Sequence, residues 1–250
     1  MLKLYSTLAY LWPVLNPLDE YTPEVNRIHE LVSPYIKGVE RPSLLEFGSG
    51  GGRLLNHFTR DFVTHAVDLS PQMIEQSTLL NPSTLHSVGD MRSVKLGMKF
   101  DVIIVGDSIG YAISEQDLKA VILNCRQHLK KTGVLLLLPD WTQETYTHNH
   151  VWRREMEFDQ STVSLVEYQY QNLTDPSQIQ SVFVFLITNG TDTIVEVDYH
   201  SFGLHSVVTW RSSIESAHLS LDTAYFIDHE SGLSKQAFVC SIPETEQTIE

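Results

Sequence analysis

The sequence predicts an α/β protein with a doubly wound, mostly parallel sheet and an inserted antiparallel β subdomain. Short apolar runs alternate with helical patterns between residues 43 and 138, as in sheets whose parallel strands are joined by crossover helices. The runs at 101–105 and 134–138 are almost wholly apolar, which is typical of strands covered on both faces. After Pro139 the pattern becomes β-rich and partly alternating, which favours antiparallel strands.

The elements follow in a regular order from a first helix that begins near Thr22. Thr22 is an N-cap candidate, Pro23 suits the first helical position, and apolar residues then recur at helical spacing. Ser70 and Pro71 start a later helix in the same way. We expect core strands at 43–47, 62–67, 84–88, 101–105, 133–138, 223–227 and 237–241, and helices near 54–58, 115–130 and 206–217. The expected insertion strands are 162–166, 182–187 and 193–197, with a hairpin at Asn189–Gly190.

These elements divide the chain into three expected parts. Residues 1–40 form an N-terminal helical cap with breakers at Pro13 and Pro17. Residues 41–149 and 203–243 form the core with its seven strands, and residues 150–202 form the antiparallel insertion. The insertion is a candidate lid, substrate region or homodimer interface.

The charge of the chain argues against nucleic acid and membrane partners. The 250 residues contain 17 Lys and Arg against 31 Asp and Glu, which gives a formal net charge of −14. Phosphate backbones and anionic lipids require a basic surface, so we expect neither as a partner.

The cysteines and the apolar runs predict a cytoplasmic protein. Cys125 and Cys240 are far apart and match no metal or redox spacing, so we expect two buried, reduced thiols. The longest apolar run, 134–138, is far shorter than the roughly 20 residues of a membrane-spanning helix.

A glycine-rich turn follows the first predicted strand, in the run Glu46-Phe47-Gly48-Ser49-Gly50-Gly51-Gly52-Arg53. Glycines let a ligand approach the backbone, and the following helix offers free N–H groups. The dinucleotide pattern Gly-x-Gly-x-x-Gly fails, because Arg53 or Leu55 occupies the last position. A dinucleotide-dependent oxidoreductase is therefore a distant alternative.

The spacing Glu46-x-Gly48-x-Gly50-x-Gly52 resembles the first motif of class I S-adenosylmethionine-dependent methyltransferases. This resemblance implies a Rossmann-like fold, S-adenosyl-L-methionine as cofactor and S-adenosyl-L-homocysteine as product. A carboxylate such as Glu46 can neutralise the cofactor's ammonium group. Asp68, at the end of the second strand, can accept both ribose hydroxyls.

Later loops extend the resemblance. It implies that Asp90 meets the adenine amino group and that Met91 packs on the adenine ring. It places a site beside the cofactor sulfur in the loop Asp107-Ser108-Ile109-Gly110-Tyr111. The residues expected at the cofactor are Tyr10, Tyr21, Glu46, Gly48, Gly50, Arg53, Asp68, Leu69, Met73, Gly89, Asp90, Met91, Asp107 and Ser108.

The segment after the fifth strand is similar to that of bacterial amino-sugar N-methyltransferases. It reads Pro139-Asp140-Trp141-Thr142-Gln143-Glu144-Thr145-Tyr146, and the resemblance lies in Pro139, Trp141 and the run Glu144-Thr145-Tyr146. The β-rich insertion and Gly203-Leu204-His205 also resemble that group, in which N-terminal tyrosines close over the cofactor. Acidic Asp140 stands where enzymes of that group can have an aromatic residue, so the resemblance does not carry over nucleotide-sugar specificity.

Methyl transfer from a sulfonium is an in-line displacement, in which the protein mainly aligns the reacting atoms. An amine must be neutral to attack, so a modest base suffices. The candidate catalytic residues are His200, His205 and Tyr111, and the candidate substrate contacts are Tyr111, Trp141, Tyr146 and His200.

Several of these candidates have structural alternatives. Trp141 and Tyr146 can equally pack the insertion against the core, and Glu144 can cap a helix or pair locally. His148 and His150 are two residues apart in a polar loop and suit exposed histidines better than metal ligands. We expect no metal.

The sequence therefore predicts a transferase of small-molecule biosynthesis that N-methylates an amine. An O-methyltransferase of a natural-product intermediate is the enzymatic alternative. A cofactor-binding partner protein without catalytic activity is the alternative from another class.

Overall fold

The computed structural model describes residues 2–146, 149–227 and 234–247. Its strands are β1 Ser43–Phe47, β2 Val63–Asp68, β3 Leu85–Val88, β4 Phe100–Val105, β5 Leu129–Leu137, β6 His150–Phe158, β7 Ser161–Gln171, β8 Gln178–Asn189, β9 Asp192–Gly203, β10 Ser220–Ile227 and β11 Ser234–Ser241. Its α-helices are α1 Trp12–Leu15, α2 Thr22–Val32, α3 Arg53–Asn56, α4 Pro71–Leu80, α5 Glu115–His128, α6 Val207–Ser216 and α7 Glu244–Gln247. Shorter 3₁₀ turns cover Lys3–Tyr5, Ala9–Leu11, Leu18–Tyr21 and Asp107–Tyr111.

Seven strands form the central sheet in the order β10-β11-β5-β4-β1-β2-β3. Strands β1 to β5 pair in parallel, while β11 is antiparallel to both β5 and β10. This confirms the predicted α/β class and its mostly parallel sheet. The carboxyl ends of the five parallel strands meet at one edge, where open α/β sheets bind ligands.

Alternate strand residues build a hydrophobic layer on each face of this sheet. On one face Leu45 and Ile103 pack beneath α5 and α6, in a cluster that contains Trp210. On the other face Leu44 and Val102 pack beneath α2 and α3. Burial on both faces explains why these strands are apolar almost throughout.

The second sheet is a separate antiparallel meander of β6, β7, β8 and β9. Asn189 ends β8 and Gly190 turns the chain with φ +60°, as the predicted hairpin requires. The N-terminal segment covers this sheet, because Leu4 and Leu11 bury against Phe183 and Phe185. The first residues therefore pack on the second sheet, whereas α2 packs on the central one.

Two predictions about these elements were wrong. Thr22 does not cap α2, because the 3₁₀ turn Leu18–Tyr21 runs directly into that helix and Thr22 already has helical geometry. Strand β6 was missed, since its alternation is broken: Val151 faces outward, and Arg154 faces inward and pairs with Glu20.

Two other features, the cap of α4 and the two cysteines, agree with the sequence predictions. Ser70 caps α4 by accepting a hydrogen bond from the Met73 backbone N–H, at 3.2 Å. Cys125 and Cys240 are free thiols buried in the core. None of the helices in the described ranges is long and apolar enough to cross a membrane.

Candidate active site

A cavity of about 310 Å³ opens at the carboxyl edge of the parallel strands. One side, which we call the strand-end wall, follows β1 to β5 and includes Glu46, Gly48, Gly50, Asp68 and Asp107. The other contributions come mainly from the N-terminal segment and from Tyr111. Of the predicted residues, the cavity is lined by Tyr21, Glu46, Gly48, Gly50, Arg53, Asp68, Leu69, Gly89, Asp90, Met91, Asp107, Ser108 and Tyr111.

The glycine turn after β1 has the close approaches that the motif predicts. Gly48 adopts φ +66°, and a Cβ on it would lie 2.2 Å from the Ser108 hydroxyl oxygen. Gly50 adopts φ +51°, and its N–H donates to the Asp68 carboxylate at 2.8 Å. The other Asp68 oxygen accepts from the Ser70 N–H at 2.8 Å. Backbone groups thus hold Asp68 while leaving further lone pairs on its oxygens for a ligand.

Glu46 presents a buried carboxyl oxygen that lacks a partner. The residue is 5% exposed and its Oε2 has no hydrogen bond. Burial, reinforced by the negative charges of Asp107 and Glu24, raises the pKa of Glu46 well above its ordinary value. A buried acceptor without a partner is costly, so this oxygen favours a ligand that brings a donor or a positive charge.

Two further carboxylates lie where the strand-end wall meets the segment after β5. Asp107 is open to solvent through the cavity, but protein atoms enclose it elsewhere. This desolvation, together with the nearby charge of Asp140, raises the pKa of Asp107 to about 6. Lys235 donates to Asp140 at 2.6 Å and partly offsets their repulsion. The wall as a whole therefore favours cationic ligands.

Arginines line the cavity at two points. Arg53 donates to the backbone carbonyls of Asn16 and Pro13, which ties α3 to the N-terminal segment. Arg92 binds both carboxylate oxygens of Asp90 and also donates to Asp117 at 2.9 Å. Asp90 thus already has a strong partner, and its contact with adenine remains a prediction.

The opposite side of the cavity, the tyrosine wall, carries a chain of hydrogen bonds into the protein. Tyr5 and Tyr111 line the cavity, and their hydroxyl oxygens are 2.9 Å apart. The Tyr111 hydroxyl is 2.7 Å from Nδ1 of His200, whose Nε2 is 2.9 Å from Asp198. The backbone N–H of Leu4 donates to the same Asp198 oxygen at 2.8 Å. Predicted Tyr111 and His200 are thus directly connected.

Two predicted cofactor residues lie away from the cavity. Tyr10 is 46% exposed and packs against Phe158 of the second sheet, with ring centroids 5.6 Å apart. Met73 is fully buried on the inner side of α4. The structure therefore does not bring these two side chains to the cavity, whereas Tyr5 and Trp12 of the N-terminal segment do line it.

His205 lies outside the cavity and supports the loop that carries Tyr111. Its Nε2 hydrogen-bonds the backbone carbonyl of Ala112 at 2.7 Å, and its ring packs edge-on against Trp210. Ala112 follows Tyr111 directly, so His205 fixes the loop that presents Tyr111 and does not line the cavity itself.

Trp141, Tyr146 and Glu144 favour the structural alternatives raised above. The Trp141 ring stacks on His150 with centroids 4.7 Å apart and meets Tyr146 edge-on. These aromatics pack the start of β6 against the segment after β5. Glu144 accepts the Val207 N–H at 2.9 Å and so caps α6, as the local alternative predicted. His148 lies outside the described residues.

Sequence reasoning missed several residues of the site. Tyr5, Trp12, Asp198 and Lys235 carry no motif of their own, and their position depends on how the N-terminal segment and the last strands dock. The signal available for Asp198 was its spacing of two from His200, since alternate strand residues share a face. In the described ranges, no three His, Cys, Asp or Glu side chains are arranged to hold a metal ion.

These residues fit S-adenosylmethionine. The unpartnered Glu46 oxygen suits an ammonium group, and the Asp68 carboxylate suits ribose hydroxyls. The turn at Gly48 and Gly50 depends on the absence of side chains, since a Cβ on either residue would press against Ser108 or Trp12. The buried Trp12 Nε1, which also lacks a partner, offers an N–H donor beside the same turn.

Comparison with known proteins agrees with this geometry. Residues 45–135 match a family model described as a methyltransferase domain. The crystal structure of Streptomyces venezuelae DesVI superimposes with a TM-score of 0.78 at 26% identity, over 90% of this chain and 92% of that one. Residues 45–135 thus match a methyltransferase domain, and the fold of the whole chain is similar to that of DesVI. Both findings support S-adenosylmethionine as cofactor and S-adenosylhomocysteine as product.

Curated relatives indicate which group of methyltransferases the chain resembles. The chain is 33% identical over 152 residues to a Streptomyces venezuelae dTDP-3-amino-3,4,6-trideoxy-alpha-D-glucopyranose N,N-dimethyltransferase, covering 60% of this chain and 63% of that protein. It is 30% identical over 128 residues to the Streptomyces fradiae dTDP-3-amino-3,6-dideoxy-alpha-D-glucopyranose N,N-dimethyltransferase, over 50% of each. The matches thus span between half and 63% of these curated relatives.

A second solved structure extends the likeness over the whole fold. The sugar N-methyltransferase KedS8 from Streptoalloteichus sp ATCC 53650 superimposes with a TM-score of 0.79 at 21% identity. That match covers 90% of this chain and 88% of KedS8. The predicted resemblance to the amino-sugar group is therefore confirmed.

Proposed function

We propose that the protein transfers a methyl group from S-adenosylmethionine to the amine nitrogen of a small molecule. The observation that carries this proposal is a single cavity with an unpartnered Glu46 carboxyl oxygen, a backbone-held Asp68 and two tyrosine hydroxyls. Three of the similar proteins, two sugar N,N-dimethyltransferases and one sugar N-methyltransferase, support nitrogen as the acceptor.

The strand-end wall would hold the cofactor. Glu46 would pair with its ammonium group, Asp68 would accept the ribose hydroxyls, and Trp12 Nε1 would donate to its carboxylate. When bound, S-adenosylmethionine supplies a methyl group on a positively charged sulfur. The residues of the chain then bind, orient and shield the reacting groups from water, which is the main contribution expected for an in-line displacement.

The charge around the cavity supports an amine as the acceptor. Six carboxylates line it, against the three cations Arg53, Arg92 and Lys235, and each of these cations already donates to an acidic or carbonyl oxygen. Such a lining attracts an ammonium-bearing molecule.

Isothermal calorimetry and a labelled-methyl assay test the proposal. We expect micromolar binding of S-adenosylhomocysteine and no binding of NAD. We expect methyl transfer to dTDP-3-amino-3,4,6-trideoxy-alpha-D-glucopyranose or to free D-glucosamine, with dTDP-glucose as the hydroxyl-only control. Mass spectrometry locates the added methyl. Transfer to dTDP-glucose alone would favour the O-methyltransferase alternative, and cofactor binding without transfer to any acceptor would favour a partner protein.

The division of the chain into cap, core and insertion also enters here as a proposal. The core, 41–149 and 203–243, would bind the cofactor, while the cap 1–40 and the insertion 150–202 would close the acceptor side. The packing of Leu4 and Leu11 on the second sheet supports this division of tasks. The homodimer interface on the insertion and the cytoplasmic location stay predictions.

A further inference from the structure

We propose that Tyr5, Tyr111 and His200 form a proton relay that takes the proton of the acceptor amine, with Asp198 as the residue that orients it. This inference rests on the proposed function, because an ammonium must lose a proton before its nitrogen can attack. It adds two residues, Tyr5 and Asp198, that no motif identified.

The relay is continuous from the cavity to the interior. The distances between neighbouring polar atoms are 2.9 Å from Tyr5 to Tyr111, 2.7 Å from Tyr111 to His200 and 2.9 Å from His200 to Asp198. The first two side chains line the cavity, whereas His200 is 1% exposed and Asp198 is 7% exposed. A proton that enters at Tyr5 or Tyr111 can therefore reach a group that solvent does not contact.

Asp198, at the buried end of the relay, determines the donor and the acceptor in each of its hydrogen bonds. Asp198 Oδ2 accepts the Leu4 N–H, and an ionised carboxylate can only accept, so Nε2 of His200 must donate to it. In the neutral imidazole Nδ1 is then an acceptor, and the Tyr111 hydroxyl must donate to it. Tyr111 in turn accepts from Tyr5. The Tyr5 oxygen is left with lone pairs, which suit an ammonium N–H.

The acid–base properties agree with this direction. Burial lowers the pKa of His200, and the hydrogen bond and charge of Asp198 oppose that effect, so the resting imidazole is neutral at neutral pH and has a free Nδ1 lone pair. Burial raises the pKa of both Tyr5 and Tyr111, so the phenols stay protonated and conduct protons by exchange. Asp107 and Glu167 also act on both tyrosines, and Asp68 acts on Tyr5; all three charges raise the pKa of the phenols.

The proton balance is simple. The ammonium N–H bond breaks and its electron pair stays on nitrogen, while the proton bonds to the Tyr5 oxygen. The Tyr5 proton passes to Tyr111, and the Tyr111 proton passes to Nδ1 of His200. The imidazolium then pairs with the Asp198 carboxylate. The neutral amine forms the N–C bond with the methyl carbon as the C–S bond breaks and its electron pair stays on sulfur.

Nitrogen NMR on histidine-labelled, cofactor-free protein tests the direction of the relay without any substrate. We expect His200 as the neutral tautomer with its proton on Nε2. Asp198→Asn keeps an acceptor oxygen but removes the charge, so the pKa of His200 should fall. A wild-type proton on Nδ1, or an unchanged His200 pKa in D198N, would overturn the relay.

Kinetics test whether the relay removes the proton. With whichever of dTDP-3-amino-3,4,6-trideoxy-alpha-D-glucopyranose and D-glucosamine is turned over, His200→Asn should lower kcat about 100-fold at pH 7 and Tyr111→Phe about tenfold, with KM changed less than threefold. The deficits should shrink as pH rises and the amine loses its proton to solvent. Tyr199→Phe, on the exposed side of the same strand, is the matched control and should be unchanged.

The outcomes separate this inference from the proposed function. If wild type methylates an amine but H200N and Y111F lose less than twofold at every pH, the relay is wrong and alignment alone drives the reaction. If wild type methylates neither amine, the proposed function is wrong for these acceptors, and the NMR result still decides the direction of the relay.

Discussion

The two walls of the cavity differ in whether backbone or side chains form them. The strand-end wall takes its shape from backbone turns, with Gly48 and Gly50 at positive φ and Asp68 held by two N–H groups. The tyrosine wall consists of side chains from three distant segments, with Tyr5 bonded to Tyr111 and Tyr111 to His200. A wall made by turns is fixed by local sequence, whereas a wall of side chains depends on how the second sheet and the N-terminal segment dock.

Adding a side chain to the glycine turn of the strand-end wall should cause the largest loss of cofactor affinity. Gly48→Ala places a Cβ 2.2 Å from the Ser108 hydroxyl oxygen at φ +66°. We expect affinity for S-adenosylhomocysteine to fall about 100-fold or more, by calorimetry, because both the clash and the left-handed backbone oppose the turn. Gly97→Ala is the control, since Gly97 has φ +69° and nothing within 4 Å. Equal affinity in both variants would refute a turn-built wall.

Removing the Glu46 charge from the same wall should have a smaller effect on cofactor affinity. It should lower that affinity but raise the stability of the cofactor-free protein. Glu46→Gln keeps the shape but removes a buried charge, so affinity for S-adenosylhomocysteine should fall about tenfold. The cofactor-free protein should instead melt at a higher temperature at pH 7, because the folded protein disfavours ionised Glu46.

The pH dependence of stability follows from the same residue. A raised folded pKa means that the stability associated with Glu46 is present at low pH and is lost as pH rises through that pKa. In E46Q this decline in melting temperature should be smaller. Glu75→Gln, on the exposed side of α4, is the control and should leave both slope and affinity unchanged. Weaker binding together with a lower melting temperature would contradict the idea of an unpartnered carboxylate.

The smallest effect on cofactor affinity is expected from the packing beneath the tyrosine wall. Phe185→Ala removes a fully buried side chain between the second sheet and the N-terminal segment. We expect a loss of about 3–5 kcal/mol in the free energy of unfolding by urea titration. Affinity for S-adenosylhomocysteine should change less than threefold, while kcat falls about tenfold because Tyr5 is displaced. Leu186→Ala, the neighbour on the other face of β8, is the control.

The fold was predictable because its strongest signals are local. The runs at β4 and β5 are apolar throughout since both faces are covered, and Ser70-Pro71 marks the start of α4 by chemistry confined to a few residues. Strand β6 was not predictable in the same way. Its inward positions include Arg154, which is satisfied by Glu20 from a segment distant in sequence.

The same physical difference applies to the site. Glu46, Gly48, Gly50 and Asp68 could be located because a turn and two strand ends determine their positions. Tyr5 and Asp198 could not, because their roles arise from contacts made only in the folded chain. Tyr10 illustrates the limit: the residue type was right for the cap, but its ring packs on Phe158 and Tyr5 faces the cavity instead.

The hydrogen bond from Leu4 to Asp198 has a consequence for the order of folding. It joins residues 194 positions apart, and contacts of such high sequence separation form late because closing a long loop costs entropy. The central sheet, whose strand pairs and crossovers are closer in sequence, should gain protection from hydrogen exchange earlier. During refolding the strand-end wall should therefore form before the hydrogen-bond chain from Tyr5 to Asp198 is complete.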